Sequence, residues 1–150
     1  MTSKQAQQLY TNQGLKAPAE IAGAPVSKYH ARKKEVDGHL FASTSEALAY
    51  QVLKRWEQAG AISNLELQPR FVIVEASRDA QGRKVRAREY RADFRFIDLR
   101  FATYGVAAVI DVKGVRTAVY SLKLALFKKQ YPQYIFEEWT PQQVKEMARQ

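Results

Sequence analysis

Apolar residues recur every three or four positions from Thr44 to Gln58. This spacing is typical of an amphipathic helix, and Gly60 lies where such a helix would end. Ser43 is a suitable N-cap, and Glu46 follows it by three residues, as in a capping box. The pattern therefore predicts the first strong element of the fold over Thr44–Gln58.

Two further helices are predicted in the C-terminal half. Apolar residues spaced by three and four predict a helix over Ala118–Gln130, closed by Pro132. Thr140 followed by Pro141 has the form of an N-cap and a first helical position, which opens a short C-terminal helix. The residues of the second helix expected to face inward are Leu122, Leu126 and Phe127.

Strand patterns fill the remaining sequence. Val106–Val112 is nearly continuously apolar, as expected for a buried central strand. Leu65–Val74 is a strand candidate whose alternation Pro69 interrupts, which predicts an edge or a bulge there. The other candidates are a short strand or hairpin turn at Val36–Phe41, a long strand over Lys84–Leu99 and a strand at Tyr134–Phe136. The order of helix, three strands, helix, strand and helix predicts an α/β fold with a mixed sheet.

The composition limits the classes of function. The 150 residues include no cysteine and two histidines, so zinc fingers, iron–sulfur clusters and thiol nucleophiles are excluded or poorly supplied. No apolar run is long enough for a membrane span, so a cytoplasmic protein is expected. The sequence contains no glycine-rich phosphate-binding motif, so no nucleotide cofactor is expected. A net charge of +9 favours a polyanionic partner, although a cationic solubility surface is the alternative.

The N-terminal segment differs in composition from the rest. Residues 1–27 are rich in Gln, Ala, Gly and Pro without a sustained apolar period, so a flexible arm is expected before a domain over residues 28–150. A basic cluster stands at this boundary. It is interpreted either as a DNA-backbone contact or as a solvated linker, and its members are Lys28, Arg32, Lys33 and Lys34.

Acidic residues and a lysine are placed unusually for buried strands. Asp111 and Lys113 lie on one face at the end of an apolar strand, where an unpaired carboxylate would cost several kcal/mol. Lys113 supplies part of the compensating charge, and a divalent cation could supply more. Asp93 could point into the same notch. Hard oxygen ligands of this kind favour Mg²⁺ or Mn²⁺.

Taken together, Glu46 on a first helix, Asp93 on one strand and Asp111-Val112-Lys113 on the next resemble the PD-(D/E)XK nuclease superfamily. The resemblance extends to an uncharacterised phage and prophage family within it, covering about residues 28–130. Ala92 rather than proline precedes Asp93, and this position varies within the superfamily. The other segments that carry the resemblance are 28–33, 41–47, 65–69, 90–94 and 120–127.

The resemblance implies a restriction-endonuclease-like core and a Mg²⁺-dependent DNA endonuclease, with Mn²⁺ as a substitute metal. Asp93 and Asp111 would bind the metal, and the Val112 carbonyl would complete its shell. Lys113 would position the attacking water, and Glu46 would reach the metal through water. The relatives include Holliday-junction resolvases, so branched or duplex DNA, a homodimer and a role in phage replication or recombination in the host cytoplasm are expected.

Each assignment has a structural alternative. Glu46 could serve only as a helix cap, Asp93 could pair with Arg91 or Arg95, and Asp111 and Lys113 could form an ion pair. The remaining candidate DNA contacts could equally be solvated surface residues; they are Lys84, Arg86, Arg88 and Lys123. The alternative function is a non-catalytic DNA-binding accessory protein that retains the nuclease fold.

Overall fold

The computed structural model describes residues 33–101 and 105–150. The predicted arm, together with Lys28 and Arg32, lies outside the described residues. In chain order the elements are β1 (Lys34–Val36), β2 (His39–Phe41), α1 (Thr44–Gln58), β3 (Ile62–Leu67), β4 (Arg70–Val74), β5 (Ser77–Arg78), β6 (Lys84–Val85), β7 (Arg88–Arg91), β8 (Phe94–Asp98), β9 (Val106–Val112), α2 (Ala118–Gln130), β10 (Ile135–Trp139) and α3 (Pro141–Arg149).

A four-stranded central sheet has the order β10-β9-β8-β3. β10 runs parallel to β9, whereas β9, β8 and β3 pair antiparallel. The predicted α/β class with a mixed sheet is therefore confirmed. In chain order, α1 precedes the central-sheet strands β3, β8 and β9, and α2 follows them before β10. The predicted order of helix, three strands, helix and strand therefore holds for the elements of the central sheet.

The buried strand β9 separates two apolar clusters because its side chains alternate between the faces of the sheet. Ala108, Ile110 and Val112 pack into the first cluster, which includes residues of α1 and α3. Val109 packs into the second cluster, which includes residues of α2, β4 and β7. Asp111 follows Val109 in this alternation and is the polar residue on that side of β9.

The structure corrects the predicted inner face of α2. Leu122 is 63% exposed, whereas Phe127 is fully buried as predicted. Tyr120 and Leu124 complete the buried face. Apolar residues occupy two faces of this helix, so their spacing alone does not identify the face that packs on the sheet.

The predicted strand Lys84–Leu99 is wrong as a single element. The chain forms β6, β7 and β8 instead, and it changes partner after β7, which pairs with β4, to β8, which pairs with β3 and β9. Tyr90 packs in the second cluster, and Phe94 packs in the first. Apolar residues occur at every second position from Tyr90 to Phe94 without interruption, but Tyr90 and Phe94 pack on opposite faces of the central sheet.

The other strand predictions are largely confirmed. β1 and β2 form the expected hairpin around Asp37 and Gly38. The prediction of one strand over Leu65–Val74 is wrong, because β3 ends before Pro69 and pairs with β8, whereas β4 begins after Pro69 and pairs with β7. β10 begins within the predicted Tyr134–Phe136 segment and continues to Trp139. In the part of the chain that the structure describes, no helix is long and apolar enough to cross a membrane.

Candidate metal and nucleic-acid site

Asp93 and Asp111 lie side by side across the β8–β9 pairing. Phe94 pairs with Ile110 in antiparallel register, so Asp93 lies opposite Asp111 at the next position. The Asp93 amide donates to the Ile110 carbonyl at 3.1 Å, and the Val112 amide donates to Asp93 Oδ2 at 2.7 Å. The predicted convergence of the two carboxylates therefore follows from strand register.

Asp111 is 2% exposed and accepts a hydrogen bond from the Tyr90 hydroxyl, with 2.6 Å between Oη and Oδ2. Burial and then the neighbouring Asp111 charge raise the pKa of Tyr90 far above its usual value. The phenol therefore keeps its proton and remains a donor. One carboxylate oxygen of Asp111 is held in this way, and sequence reasoning did not identify Tyr90 as the group that holds it.

Negative charge is in excess around Asp93. Burial, Asp111 and Glu46 raise the pKa of Asp93 to about 8, against the smaller opposing effects of the Val112 amide and Lys113. Burial in the first place, and the neighbouring carboxylates after it, disfavour the ionised form of Asp93, and a cation bound beside it would favour that form. The electrostatics of the site therefore favour occupation by a metal ion.

Lys113 continues from β9 on the same side of the sheet as Asp111. Its amide donates to the Trp139 carbonyl at 2.9 Å, and its Nζ lies 4.6 Å from the centre of the Tyr120 ring. Such a contact is a cation–π interaction. Lys113 forms no ion pair among the residues that the structure describes, so its charge is available to an external anion.

Tyr120 is held in place by a neighbouring ion pair. Its hydroxyl donates to Glu138 Oε2 at 2.8 Å, and Arg116 Nε donates to Glu138 Oε1 at 3.0 Å. Although burial opposes the shift, Arg116 and Tyr120 hold the pKa of Glu138 below its usual value. Glu138 pairs with Asp111 across the β9–β10 register. No local sequence pattern identifies Glu138 as part of this site, because only the parallel pairing of β9 with β10 places it there.

Glu46 serves the helix cap and the charged site together. Its Oε1 accepts from the Ser43 hydroxyl and its Oε2 from the Ala42 amide, both at 3.2 Å, while its own amide donates to Ser43 Oγ at 3.1 Å. The Glu46 carboxylate therefore caps the Ala42 amide, whereas in a capping box it would cap the Ser43 amide. Its charge also raises the pKa of Asp93, whereas its role at a metal through water stays a prediction.

The carboxylates at this site suit Mg²⁺, which needs few protein ligands, better than an ion that takes all of its ligands from protein side chains. Within residues 33–101 and 105–150, no three Asp, Glu or His side chains form a ready-made metal group. Mg²⁺ is usually held by one or two carboxylates, with water and substrate phosphate completing its octahedral shell. Asp93 and Asp111 each keep one oxygen outside the hydrogen bonds described above, whereas both Glu46 oxygens are engaged. A role for the Val112 carbonyl stays a prediction.

The candidate DNA contacts are distributed over several surfaces. Lys33 and Lys34 are exposed at the start of β1, and Lys123 is half-buried one helical turn after Tyr120. The Lys84, Arg86 and Arg88 side chains are exposed, although the strand that was expected to align them is interrupted between β6 and β7. These lysines and arginines lie on or next to different elements, and among the described residues none of them forms an ion pair with Asp93 or Asp111.

A comparison with protein families matches residues 26–147 to the family described as "Protein of unknown function (DUF1064)". The chain belongs to the DUF1064 family. Neither the curated proteins nor the solved structures give a significant match. The DUF1064 match includes Glu46, Asp93, Asp111 and Lys113, but its description names no activity, so the chemistry is argued from these residues themselves.

Proposed function

We propose that this protein is a Mg²⁺-dependent DNA endonuclease of the PD-(D/E)XK type, selective for branched DNA such as a four-way junction. The observation that carries the proposal is the Asp93–Asp111 pair beside the Lys113 ammonium. The order of the central-sheet elements supports a restriction-endonuclease-like core. Mn²⁺ is the expected substitute metal.

Two carboxylates and one lysine have separable tasks in phosphodiester hydrolysis. Asp93 and Asp111 would hold the metal through the oxygens that the Val112 amide and Tyr90 leave free. A bound Mg²⁺ supplies a Lewis acid for the phosphoryl oxygen and lowers the pKa of coordinated water. Glu46, with both oxygens in the cap, would act on this site through water and through its charge.

Lys113 would bind the scissile phosphate and orient the attacking water. Its unpaired charge lies two residues from Asp111 and rests against Tyr120, which restricts the positions open to the long side chain. The charge would offset the negative charge that develops on the phosphoryl oxygens in the transition state. The Glu138–Tyr120 contact makes Tyr120 a positioning residue for this lysine.

The net charge of +9 supports a DNA substrate because basic side chains neutralise phosphates and release counterions. Lys123 is proposed as a phosphate contact near the site. Cutting both strands of a junction calls for two active sites, so a homodimer is proposed as the active species. The alternative, a DNA-binding accessory protein without turnover, offers no reason for acidic residues beside phosphates.

Cleavage of supercoiled plasmid and of a synthetic four-way junction, each with and without Mg²⁺, tests the proposal. Asp111→Asn removes a metal ligand, and Lys113→Ala removes the charge at the phosphate. Both variants are expected to lose cleavage while DNA binding stays within a few-fold of the parent. Glu35→Gln and Lys145→Ala remove the same charges from exposed residues, and both variants are expected to cut at the parental rate.

The outcomes separate the two functions. Metal-dependent cutting that Asp111→Asn or Lys113→Ala abolishes supports the endonuclease. DNA binding without cutting in either metal supports the accessory protein. Cutting at the parental rate by either variant would show that the active site lies elsewhere.

A further inference from the structure

Residues 70–91 form a two-stranded ribbon that is inserted, in chain order, between β3 and β8. β4 pairs with β7 at its base, and β5 pairs with β6 towards its tip. Neither pair belongs to the central sheet. We refer to residues 70–91 as the basic ribbon.

The base of the basic ribbon is firmly anchored. Phe71 and Ile73 are buried in the second apolar cluster. The Tyr131 hydroxyl donates to the Val72 carbonyl at 3.0 Å, and Gln130 Nε2 donates to the Ile73 carbonyl at 2.5 Å. The base is therefore oriented by α2 and the loop that follows it.

The outer part of the basic ribbon contains no core. From residue 74 to residue 89 every residue except half-buried Asp79 is exposed. The tip is nevertheless structured, because the Asp79 carboxylate accepts from the Gln81 amide at 2.9 Å and from the Arg83 amide at 2.9 Å. The tip is therefore held by its own hydrogen bonds and by the β5–β6 pairing rather than by apolar burial, and its side chains are exposed to a partner.

The charge of the outer part is positive, because residues 74–89 contain five basic and three acidic side chains, a net charge of +2. Asp79 pairs with Arg83 and Glu89 pairs with Arg70, whereas Glu75 forms no ion pair among the described residues. Three basic side chains line one open depression of about 560 Å³ and form no ion pair among the described residues. They are Arg78, Lys84 and Arg86.

We propose that the basic ribbon enters a groove of double-stranded DNA and holds the duplex beside the cleavage site. Two strands about 4.8 Å apart, with their side chains, fit a major groove about 12 Å wide. The ribbon reaches roughly 20 Å from Val74 to its turn. Arg78, Lys84 and Arg86 contact phosphates along the groove.

The connection to the cleavage site rests on the proposed function. β7 leads through Ala92 directly to Asp93, and Tyr90 of β7 contacts Asp111. A duplex held by the ribbon is thereby fixed relative to both carboxylates. The ribbon selects double-stranded over single-stranded DNA because an unpaired strand offers no groove of defined width.

Duplex binding in the absence of Mg²⁺ tests the ribbon separately from catalysis. The triple variant Arg78→Ala, Lys84→Ala, Arg86→Ala is expected to bind a labelled 20-base-pair duplex at least tenfold more weakly. Its slope of log K against log salt should be shallower by about 2.7, three phosphate contacts at about 0.9 each. The control triple Lys54→Ala, Lys145→Ala, Arg149→Ala removes the same charge from α1 and α3 and should lose much less.

A shortened ribbon provides a second variant. Val74 pairs with Arg88, so replacing residues 75–87 by Asn-Gly closes a two-residue hairpin turn without removing a buried residue. This variant should keep its thermal midpoint within a few degrees and lose the preference for duplex over single-stranded DNA. Parental affinity, slope and duplex preference in both ribbon variants would overturn the inference.

The ribbon inference and the proposed function fail in different ways. If duplex binding depends on the ribbon while the parent cuts no DNA with Mg²⁺ or Mn²⁺, the ribbon inference stands and the endonuclease proposal fails. If the parent cuts and the ribbon variants bind duplex as it does, the endonuclease stands and the ribbon inference fails.

Discussion

The Tyr90 hydroxyl joins two separate sheets by donating a hydrogen bond to Asp111 at 2.6 Å. Tyr90 belongs to β7, which pairs with β4, whereas Asp111 belongs to β9 of the central sheet. Because Asp111 is buried, this hydrogen bond compensates part of the desolvation of its carboxylate. The same contact fixes one oxygen of the candidate metal ligand.

Tyr90→Phe is expected to lower the free energy of unfolding by about 1–3 kcal/mol, because a buried carboxylate loses its donor. The concentration of Mg²⁺ that gives half of the maximal thermal stabilisation should rise about tenfold, since the Asp111 carboxylate is no longer held in one orientation by the hydrogen bond to its other oxygen. Urea denaturation and thermal unfolding across a Mg²⁺ series measure the two effects.

Tyr131→Phe is the matched control for Tyr90→Phe. It removes a tyrosine hydroxyl that donates to the Val72 carbonyl in the same region. A loss of about 0.5–1.5 kcal/mol with an unchanged Mg²⁺ response is expected. Equal Mg²⁺ responses of the two variants would contradict the positioning role of Tyr90.

Asp93 makes the metal-free protein less stable as the pH rises. Its pKa is about 8 in the folded protein, against 3.8 as the reference value. Between these values the folded state binds more protons than the unfolded state, so the free energy of unfolding falls with increasing pH. Asp93→Asn should remove this slope and raise the melting temperature at pH 8 by roughly 4 °C or more, an increment of about 1 kcal/mol.

Asp98→Asn tests the opposite sign. The Arg100 hydrogen bond holds the pKa of Asp98 below its usual value, so this carboxylate stabilises the fold above its unfolded pKa and loses that effect in acid. The variant should be less stable than the parent at pH 7, and its stability should approach that of the parent in acid.

The Asp93 prediction is checked by stability curves against pH in EDTA. Parallel curves for the parent and Asp93→Asn would contradict the charge assignment at Asp93.

Three substitutions separate the capping role of Glu46 from the effect of its charge on Asp93. Glu46→Ala should cost about 1 kcal/mol through the cap, whereas Glu46→Gln should cost less because it keeps an acceptor. Both should lower the pKa of Asp93, since a neighbouring negative charge is removed. Ser43→Ala should weaken the helix and leave the pKa of Asp93 nearly unchanged. Urea denaturation and an NMR titration of the Asp93 carboxyl carbon distinguish these effects.

Gly105 is expected to be far less tolerant of substitution than Gly82. Both have positive φ angles, 77° and 76°. A Cβ at Gly105 would overlap Ile97 Cγ2, whereas a Cβ at Gly82 would meet open space. Gly82→Ala should cost about 1–2 kcal/mol of backbone strain, and Gly105→Ala clearly more. Urea denaturation of the two variants should give different midpoints, and equal midpoints would exclude the overlap.

The fold was predictable where burial follows one regular period. The bounds of α1 and β9 match the expected Thr44–Gln58 and Val106–Val112, because α1 buries one continuous face and β9 is buried on both. The bounds of α2 also match the expected Ala118–Gln130, but its buried face does not, because its apolar residues occupy two faces. The prediction from the apolar period was wrong between Tyr90 and Phe94, because the chain passes there from one sheet to another without interrupting the apolar alternation. Local pattern contains no information about which strand becomes the partner.

The candidate site was predictable to the same extent. Asp111 and Lys113 share a side of β9 because strand side chains alternate, and this required only sequence. The contacts of Tyr90 and Glu138 depend on the pairing of distant segments. The sequence places Glu138 twenty-seven positions after Asp111, and only the parallel β9–β10 register brings them together.

The alternation of β9 between two apolar clusters has a consequence for how this segment can change over evolution. Val112 packs into the first cluster, while its neighbour Asp111 faces the opposite side. Inserting or deleting one residue in this strand would turn the carboxylate into the first cluster and the valine towards Tyr90. The candidate chemistry and the core would then be lost together, so a change of one residue in the length of this strand cannot alter one without altering the other.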